Sequence, residues 1–127
     1  MSLAYLDTHV AVWLHDGLLR KLTKAAEREI ERNEIRISPM VYLEFEYLFR
    51  RGRSRLDAAA LYSNLNDTFG ITLCPFPFAT TAIAAAEYHW TNDPFDRIIV
   101  GHARANRDSM LITADESIRE HYHQAVW

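Results

Sequence analysis

The stretch Leu3-Ala4-Tyr5-Leu6-Asp7-Thr8 decides the fold, because a short apolar run ends abruptly at an acid and a threonine. Such a run is typical of a buried strand in a parallel sheet, which has helices on both faces. Further strands are predicted at residues 35–37, 71–74 (an edge strand) and 110–113, and helices at residues 10–14, 22–30, 40–51, 58–65, 81–88, 93–105 and 117–122. This alternation predicts an α/β fold with a central parallel sheet.

The composition predicts one globular domain over residues 1–127, with 49% hydrophobic and 24% charged residues. A single cysteine, Cys74, excludes an intramolecular disulfide, and its apolar neighbours predict a buried thiol. Fourteen basic and seventeen acidic residues give a net charge of −3. Binding of nucleic acid through bulk positive charge is therefore excluded, and any such contact must be local.

The first residues lack the basic segment and long apolar stretch of a signal peptide. No window of the sequence approaches the ~18 apolar residues that a membrane helix needs. We therefore predict a cytoplasmic protein without membrane contact.

Three acids lie where the carboxyl ends of parallel strands, and hence ligands, are expected. Asp7 and Asp115 each follow a predicted strand, and Asp96 lies in the first turn of the helix that Asp93-Pro94 begins. Each has a purely structural alternative, because Asp is common as a helix N-cap and in the first helical turn.

Glu44 is harder to explain by structure alone, because helical spacing places it on an apolar stripe with Met40, Val41, Tyr47 and Leu48. A carboxylate there costs several kcal/mol unless something pairs with it. Glu46, about 200° away around the same helix, is predicted to be a solvated surface acid.

Suppose that Asp7, Glu44, Asp96 and Asp115 converge. Two carboxylates ~4 Å apart repel by about 4 kcal/mol at an effective dielectric constant near 20. Four of them require a divalent cation, unless some stay protonated. A ligand set made only of oxygen selects Mg²⁺ or Mn²⁺. Such an ion favours phosphodiester hydrolysis.

Four blocks of the sequence then resemble one family, in the same order and with similar spacing. They are Tyr5-Leu6-Asp7-Thr8-His9, Ile37-Ser38-Pro39 before Glu44, Asp93-Pro94-Phe95-Asp96-Arg97-Ile98-Ile99-Val100, and Leu111-Ile112-Thr113-Ala114-Asp115. With them nearly the whole chain resembles the PIN-domain ribonucleases, specifically VapC-type toxins of type II toxin–antitoxin systems.

The resemblance implies a PIN-like three-layer α/β/α sandwich and a Mg²⁺- or Mn²⁺-dependent endoribonuclease. It implies an RNA substrate, inhibition by a cognate antitoxin, and a homodimer. Its acidic quartet falls on Asp7, Glu44, Asp96 and Asp115 as metal ligands, with Thr8 and Thr113 orienting a carboxylate or water behind them. Asp93 is expected only to cap its helix. The chain departs from the family at Asn92 and at Gly101, which we expect to loosen the helix that carries Asp96.

Candidate RNA phosphate contacts are Arg51, Arg53, Arg55 and Arg97. The first three are equally consistent with a solvated helix end, and for Arg97 we expect pairing with a neighbouring acid, with a phosphate contact as the alternative. Two other functions stay open at this point. One is a non-catalytic PIN-like module that binds RNA or protein, which loss of an acid would indicate. The other, weaker, is an Asp/Mg²⁺ phosphotransfer domain, in which a second acid usually adjoins the nucleophile.

Overall fold

The computed structural model describes residues 2–127, and at its centre lies a five-stranded sheet in which every pairing is parallel. The strands are β1 (Leu3–Leu6), β2 (Glu34–Ile37), β3 (Thr72–Leu73), β4 (Met110–Ile112) and β5 (Ala125–Val126). Their order across the sheet is β3-β2-β1-β4-β5. The predicted α/β class, a three-layer α/β/α sandwich around a parallel sheet, is confirmed.

All seven predicted helices are present. They are α1 (Thr8–His15), α2 (Lys24–Arg32), α3 (Pro39–Arg50), α4 (Ala58–Phe69), α5 (Phe78–Ala85), α6 (Pro94–Ala105) and α7 (Glu116–His121), and Leu19–Lys21 adds one 3₁₀ turn. Helix α5 begins and ends three residues earlier than predicted. None of the helices in residues 2–127 combines the length and apolar composition needed to cross a bilayer.

The central strand β1 fixes the position of the polar residues that follow the strands. Ala4, Tyr5 and Leu6 are fully buried, and β1 pairs with β2 on one side and β4 on the other. The carboxyl ends of these three strands therefore lie side by side, followed by Asp7, Ser38 and Thr113, respectively. This edge of the sheet is where a ligand site is expected in an α/β fold.

The buried thiol predicted for Cys74 is confirmed, since its residue is 4% exposed. Its Sγ lies 2.9 Å from the hydroxyl of Tyr5, which also accepts a hydrogen bond from the amide of Asn106 at 2.8 Å. This cluster joins β1 to the loop after β3 and to the end of α6.

Glu46 lies at the surface, as predicted, but it also makes two hydrogen bonds that the sequence did not predict. One carboxylate oxygen accepts a hydrogen bond from the backbone N–H of Ala58 at 3.1 Å, and the other accepts one from Arg50 Nε at 2.8 Å. The bond from Arg50 and that from Ala58 hold the pKa of Glu46 below its ordinary value. Glu46 thus ties α3 to the first turn of α4, satisfying an N–H that has no partner within its own helix.

Gly101 lies where α6 packs closely against α5. A Cβ at this position would lie 3.2 Å from the Cβ of Ala85, from Thr81 Cγ2 and from the backbone oxygen of Thr81. The glycine therefore permits close packing of α5 and α6. From the sequence we expected Gly101, a departure from the family, only to loosen the helix, and this packing explains why a glycine is present.

Gly101→Val is expected to lower the free energy of unfolding by roughly 2 kcal/mol, because overpacking of a close helix contact forces the backbones apart. Chemical denaturation of the variant measures this change. Ser63→Val, at an exposed position of α4, controls for the low helix propensity of valine. Equal stabilities of the two variants would contradict the packing explanation.

Candidate active site

Asp7 directly follows β1 and is also the N-cap of α1. It therefore has both the helix-capping role and the position at the sheet edge that the sequence offered as alternatives. Its Oδ1 accepts a hydrogen bond from the Thr8 backbone N–H at 2.8 Å, and its Oδ2 accepts one from Thr113 Oγ1 at 2.6 Å. Burial raises the pKa of Asp7, the two hydrogen bonds oppose that rise, and the charge of Asp115 adds to it. The carboxylate is thus held rigidly at the edge of the sheet.

Thr113 joins Asp7 to the residues that follow β4. Its buried hydroxyl donates to Asp7 and accepts a hydrogen bond from the backbone N–H of Asp115 at 3.0 Å. Asp115 is exposed, and its Oδ1 caps α7 by accepting the N–H of Ile118 at 3.0 Å. The short turn from Thr113 to Asp115 therefore fixes the second acid relative to the first.

Glu44 lies on α3 and is partly buried, as its place on an apolar stripe predicted. The partner that compensates its burial is Thr8, whose buried hydroxyl donates a hydrogen bond to Glu44 Oε1. Burial raises the pKa of Glu44, the Thr8 bond opposes this, and the charges of Asp7 and Asp93 raise it further. The carboxylate is therefore within electrostatic reach of Asp7.

Asp96 lies in the first turn of α6, whose N-cap Asp93 accepts the N–H of Phe95 at 2.9 Å. Burial and then the charges of Asp93, Asp7, Asp115 and Glu44 raise the pKa of Asp96 to about 7. A helix N-terminus favours a negative charge, so burial and crowding outweigh it here. Asp96 is the acid on which the charges of all the others act.

The four predicted acids thus come from four different elements and act on one another at the carboxyl edge of the sheet. Among residues 2–127, however, no three Asp, Glu, His or Cys side chains are gathered closely enough to coordinate an ion as they stand. Like charges repel, so ionised carboxylates turn to a common point only where a cation or a shared proton compensates that repulsion. The donor set, made of oxygen alone, fits a hard divalent ion.

Two further residues act on this cluster. Asp93 caps α6, as predicted, but its charge also raises the pKa of both Asp96 and Glu44. His9, one residue beyond Thr8, counteracts the raised pKa of Asp7. The only sequence signal for both was that each lies within three residues of a predicted ligand. Such closeness does not distinguish a side chain that faces the cluster from one that faces away.

The candidate arginines lie in different surroundings. Arg51, Arg53 and Arg55 are exposed, and the guanidinium of Arg51 lies 4.8 Å from the ring centre of Tyr47. The expected pairing of Arg97 with an acid is wrong: its Nε donates to the backbone oxygen of Thr91 at 2.8 Å, and it forms no salt bridge with residues 2–127. Arg97 instead fixes the loop that leads into α6.

Comparison with known proteins identifies the family and the fold. No curated protein matches the chain significantly. The fold is similar to that in a crystal structure of VapBC2 from Rickettsia felis bound to a DNA fragment from their promoter, with a TM-score of 0.62, 20% sequence identity, and coverage of 93% of this chain and 92% of that one. The PIN domain family matches residues 4–124. With nearly its whole length matched and its fold in agreement, the chain belongs to the PIN domain family.

Proposed function

We propose that the chain is a Mg²⁺- or Mn²⁺-dependent endoribonuclease that cuts RNA at the cluster of Asp7, Glu44, Asp96 and Asp115. The supporting observation is the Asp96 carboxyl, whose pKa is raised to about 7 by burial and by four neighbouring acids. Concentrated negative charge at a ligand-binding edge of the sheet is what a phosphodiesterase needs to hold hard cations. PIN domains are generally nucleases, and the family match supports the same activity.

In this proposal the four acids hold the cation, which when bound neutralises charge on the phosphodiester and activates water. The chain's own contribution is orientation. Thr113 and the Thr8 N–H fix both oxygens of Asp7, and the Thr8 hydroxyl fixes Glu44. Hydroxyls behind metal ligands commonly tune the affinity for the ion in this way. We also propose the cytoplasmic location that the sequence predicted.

The test is incubation of the purified protein with total RNA in Mn²⁺, in Mg²⁺, in EDTA, and in EDTA followed by excess metal. We expect cleavage in the metal arms, none in EDTA, and recovery when metal is restored. Asp96→Asn protein, purified in parallel, controls for a contaminating nuclease. Identical RNA patterns in all arms would refute the enzyme.

We further propose that the protein is a VapC-type toxin held inactive by a small antitoxin protein. One support is the fold shared with a structure of VapBC2. Another is a groove of about 430 Å³ between α1, the 3₁₀ turn, α2 and α4, which is lined mainly by apolar side chains together with Glu27, Glu31 and Asn33. Leu19 and Phe69 in this groove are 51% and 44% exposed. Exposed apolar grooves of this kind mark protein contacts, and an amphipathic segment of the antitoxin would fill this one.

Leu19→Asp is expected to weaken inhibition by the antitoxin roughly 30-fold while ribonuclease activity stays unchanged, because it places a charge in the centre of an apolar contact. We expect a small gene adjacent to that of this chain to encode the antitoxin, and titrating its product against RNA cleavage measures the affinity. The matched control is Phe78→Asp on α5, where Phe78 is 59% exposed. If both variants are inhibited like the parent protein, the groove is not the antitoxin site.

The homodimer also remains a prediction. Sedimentation equilibrium of the chain alone and with its antitoxin measures it directly. A molecular mass equal to that of the monomer at all concentrations would contradict the homodimer.

A further inference from the structure

An aromatic pair joins the two helices that carry Glu44 and Asp96. Tyr47 lies one turn after Glu44 on α3, and Phe95 directly precedes Asp96 on α6. Their rings stack with centres 6.2 Å apart and an angle of 29° between the planes. Tyr47 is nevertheless 51% exposed, so the pair offers part of an aromatic surface to a ligand beside the acidic cluster.

A positive charge without an ion pair among residues 2–127 lies against the same aromatic pair. The guanidinium of Arg51 is 4.8 Å from the centre of the Tyr47 ring. Its neighbour Arg50 pairs with Glu46 at 2.8 Å, whereas Arg51 forms no salt bridge with any of residues 2–127. The exposed Arg51 side chain can therefore contact a phosphate without giving up an ion pair.

These three side chains could explain how a protein of net negative charge binds RNA beside an acidic cluster. The net charge is −3 and the acidic cluster repels phosphate, so RNA cannot be held there by bulk Coulomb attraction. Stacking of a base on an aromatic ring does not depend on net charge. Guanidinium planes also stack with bases, and a guanidinium binds phosphate in a fork geometry.

We propose that Tyr47, Phe95 and Arg51 form a stacking site for one unpaired base of an RNA strand. Phe95 stacks on the Tyr47 ring and the Arg51 guanidinium lies over it, so the base takes the place of the guanidinium when Arg51 turns to the adjoining phosphate. The inference rests on the proposed ribonuclease function and assigns three residues of this chain to holding the RNA beside the acidic cluster. In a duplex both faces of each base are covered by neighbouring bases, so a stacking site selects bases that are free. Every base has a π face, so weak sequence preference is expected.

The experiment measures binding of a labelled 12-nucleotide single-stranded RNA in EDTA by fluorescence anisotropy. Tyr47→Ala is expected to raise Kd about tenfold, and Tyr47→Phe to change it less than twofold, because phenylalanine keeps the ring. The matched control is Phe49→Ala, an exposed aromatic on the same helix that lies five residues from Glu44, with no expected change. Arg51→Ala should flatten the salt dependence of Kd.

Cleavage kinetics in Mn²⁺ distinguish the proposed RNA-binding role of Tyr47 from the proposed catalytic role of Asp96. Tyr47→Ala should raise KM with kcat nearly unchanged, whereas Asp96→Asn should remove turnover and still bind the RNA. An RNA of the same length annealed to its complement should bind Tyr47→Ala and the parent protein equally.

Unchanged binding of single-stranded RNA by Tyr47→Ala would overturn the stacking site. So would sedimentation data in which Tyr47→Ala dissociates a dimer, since Tyr47 would then lie against a second copy of the chain. Because the binding arm is metal-free, it separates the two claims. Binding that depends on Tyr47 without cleavage in Mn²⁺ supports the stacking site and contradicts the ribonuclease, and the reverse result contradicts the stacking site alone.

Discussion

Asp96→Asn is expected to slow metal-dependent RNA cleavage by about a thousandfold or more while the fold stays intact. Asparagine keeps the volume of aspartate but removes one charge from the group that would hold the cation. A loss of about 4 kcal/mol in transition-state stabilisation corresponds to that factor, which is within the several kcal/mol that a catalytic metal supplies. The measurement is single-turnover cleavage of a defined RNA in Mn²⁺.

Asp67→Asn is the matched control for this prediction. Asp67 lies exposed on α4, its charge is not among those that shift the pKa of Asp7, Glu44 or Asp96, and it undergoes the same chemical change. It should cleave RNA at the parent rate. Asp7→Asn should behave like Asp96→Asn, although loss of its charge also weakens the bond from Thr113, so its circular dichroism must be compared with that of the parent protein. Cleavage by Asp96→Asn at the rate of Asp67→Asn would remove Asp96 from the site.

The elements that the sequence predicted correctly depend on local chemistry. Ser38-Pro39 begins α3 as expected, because a serine N-cap followed by proline satisfies and pre-organises the first turn. The strand β1 was predictable because both its faces are buried. By contrast, β5 was missed, since its two residues are a strand only through hydrogen bonds to β4 and its flank, as from Leu111 N–H to Gln124 O.

The candidate site likewise contains features that local sequence predicts and features that depend on tertiary packing. The place of Glu44 on an apolar stripe predicted that some group must compensate its charge. That the group is Thr8, 36 residues away in sequence, depends on how α1 packs on α3, and no local pattern contains this. Asp93 was predicted correctly as a helix cap. Its second effect, which is to raise the pKa of Asp96, depends on where its charge lies relative to the other acids in the folded chain. Local rules thus predict individual residues, and packing decides which of them meet.

In EDTA, Asp96→Asn is expected to be more stable than the parent protein at pH 8 by about 2 kcal/mol, and this advantage should disappear towards pH 4. The pKa of Asp96 rises from 3.8 to about 7 in the fold. Between these values the folded chain holds a proton that the unfolded chain has released, so stability falls as pH rises. The full pKa rise is equivalent to about 4 kcal/mol, and water around a partly buried carboxyl reduces this to roughly half.

The comparison of two proteins is necessary because other groups titrate with the opposite sign. Burial lowers the pKa of His102, so the unfolded chain binds a proton there that the fold excludes, and acid destabilises the fold. Glu46, whose pKa is lowered, acts in the same direction. Both contributions are common to the parent protein and Asp96→Asn, so they cancel in the difference.

Saturating Mn²⁺ at pH 8 should then reverse the order of stability. A ligand that binds only the folded state stabilises it in proportion to the logarithm of its concentration over Kd, and the parent protein retains the charge that the variant lacks. Urea denaturation at pH 4, 6 and 8, with EDTA and with Mn²⁺, measures both effects. Asp67→Asn should follow the parent protein in every condition. If Asp96→Asn is no more stable than the parent protein at pH 8 in EDTA, the carboxylates do not strain the fold. The case for a cation at this edge of the sheet would then lose its physical basis, since crowded negative charge is the property that calls for one.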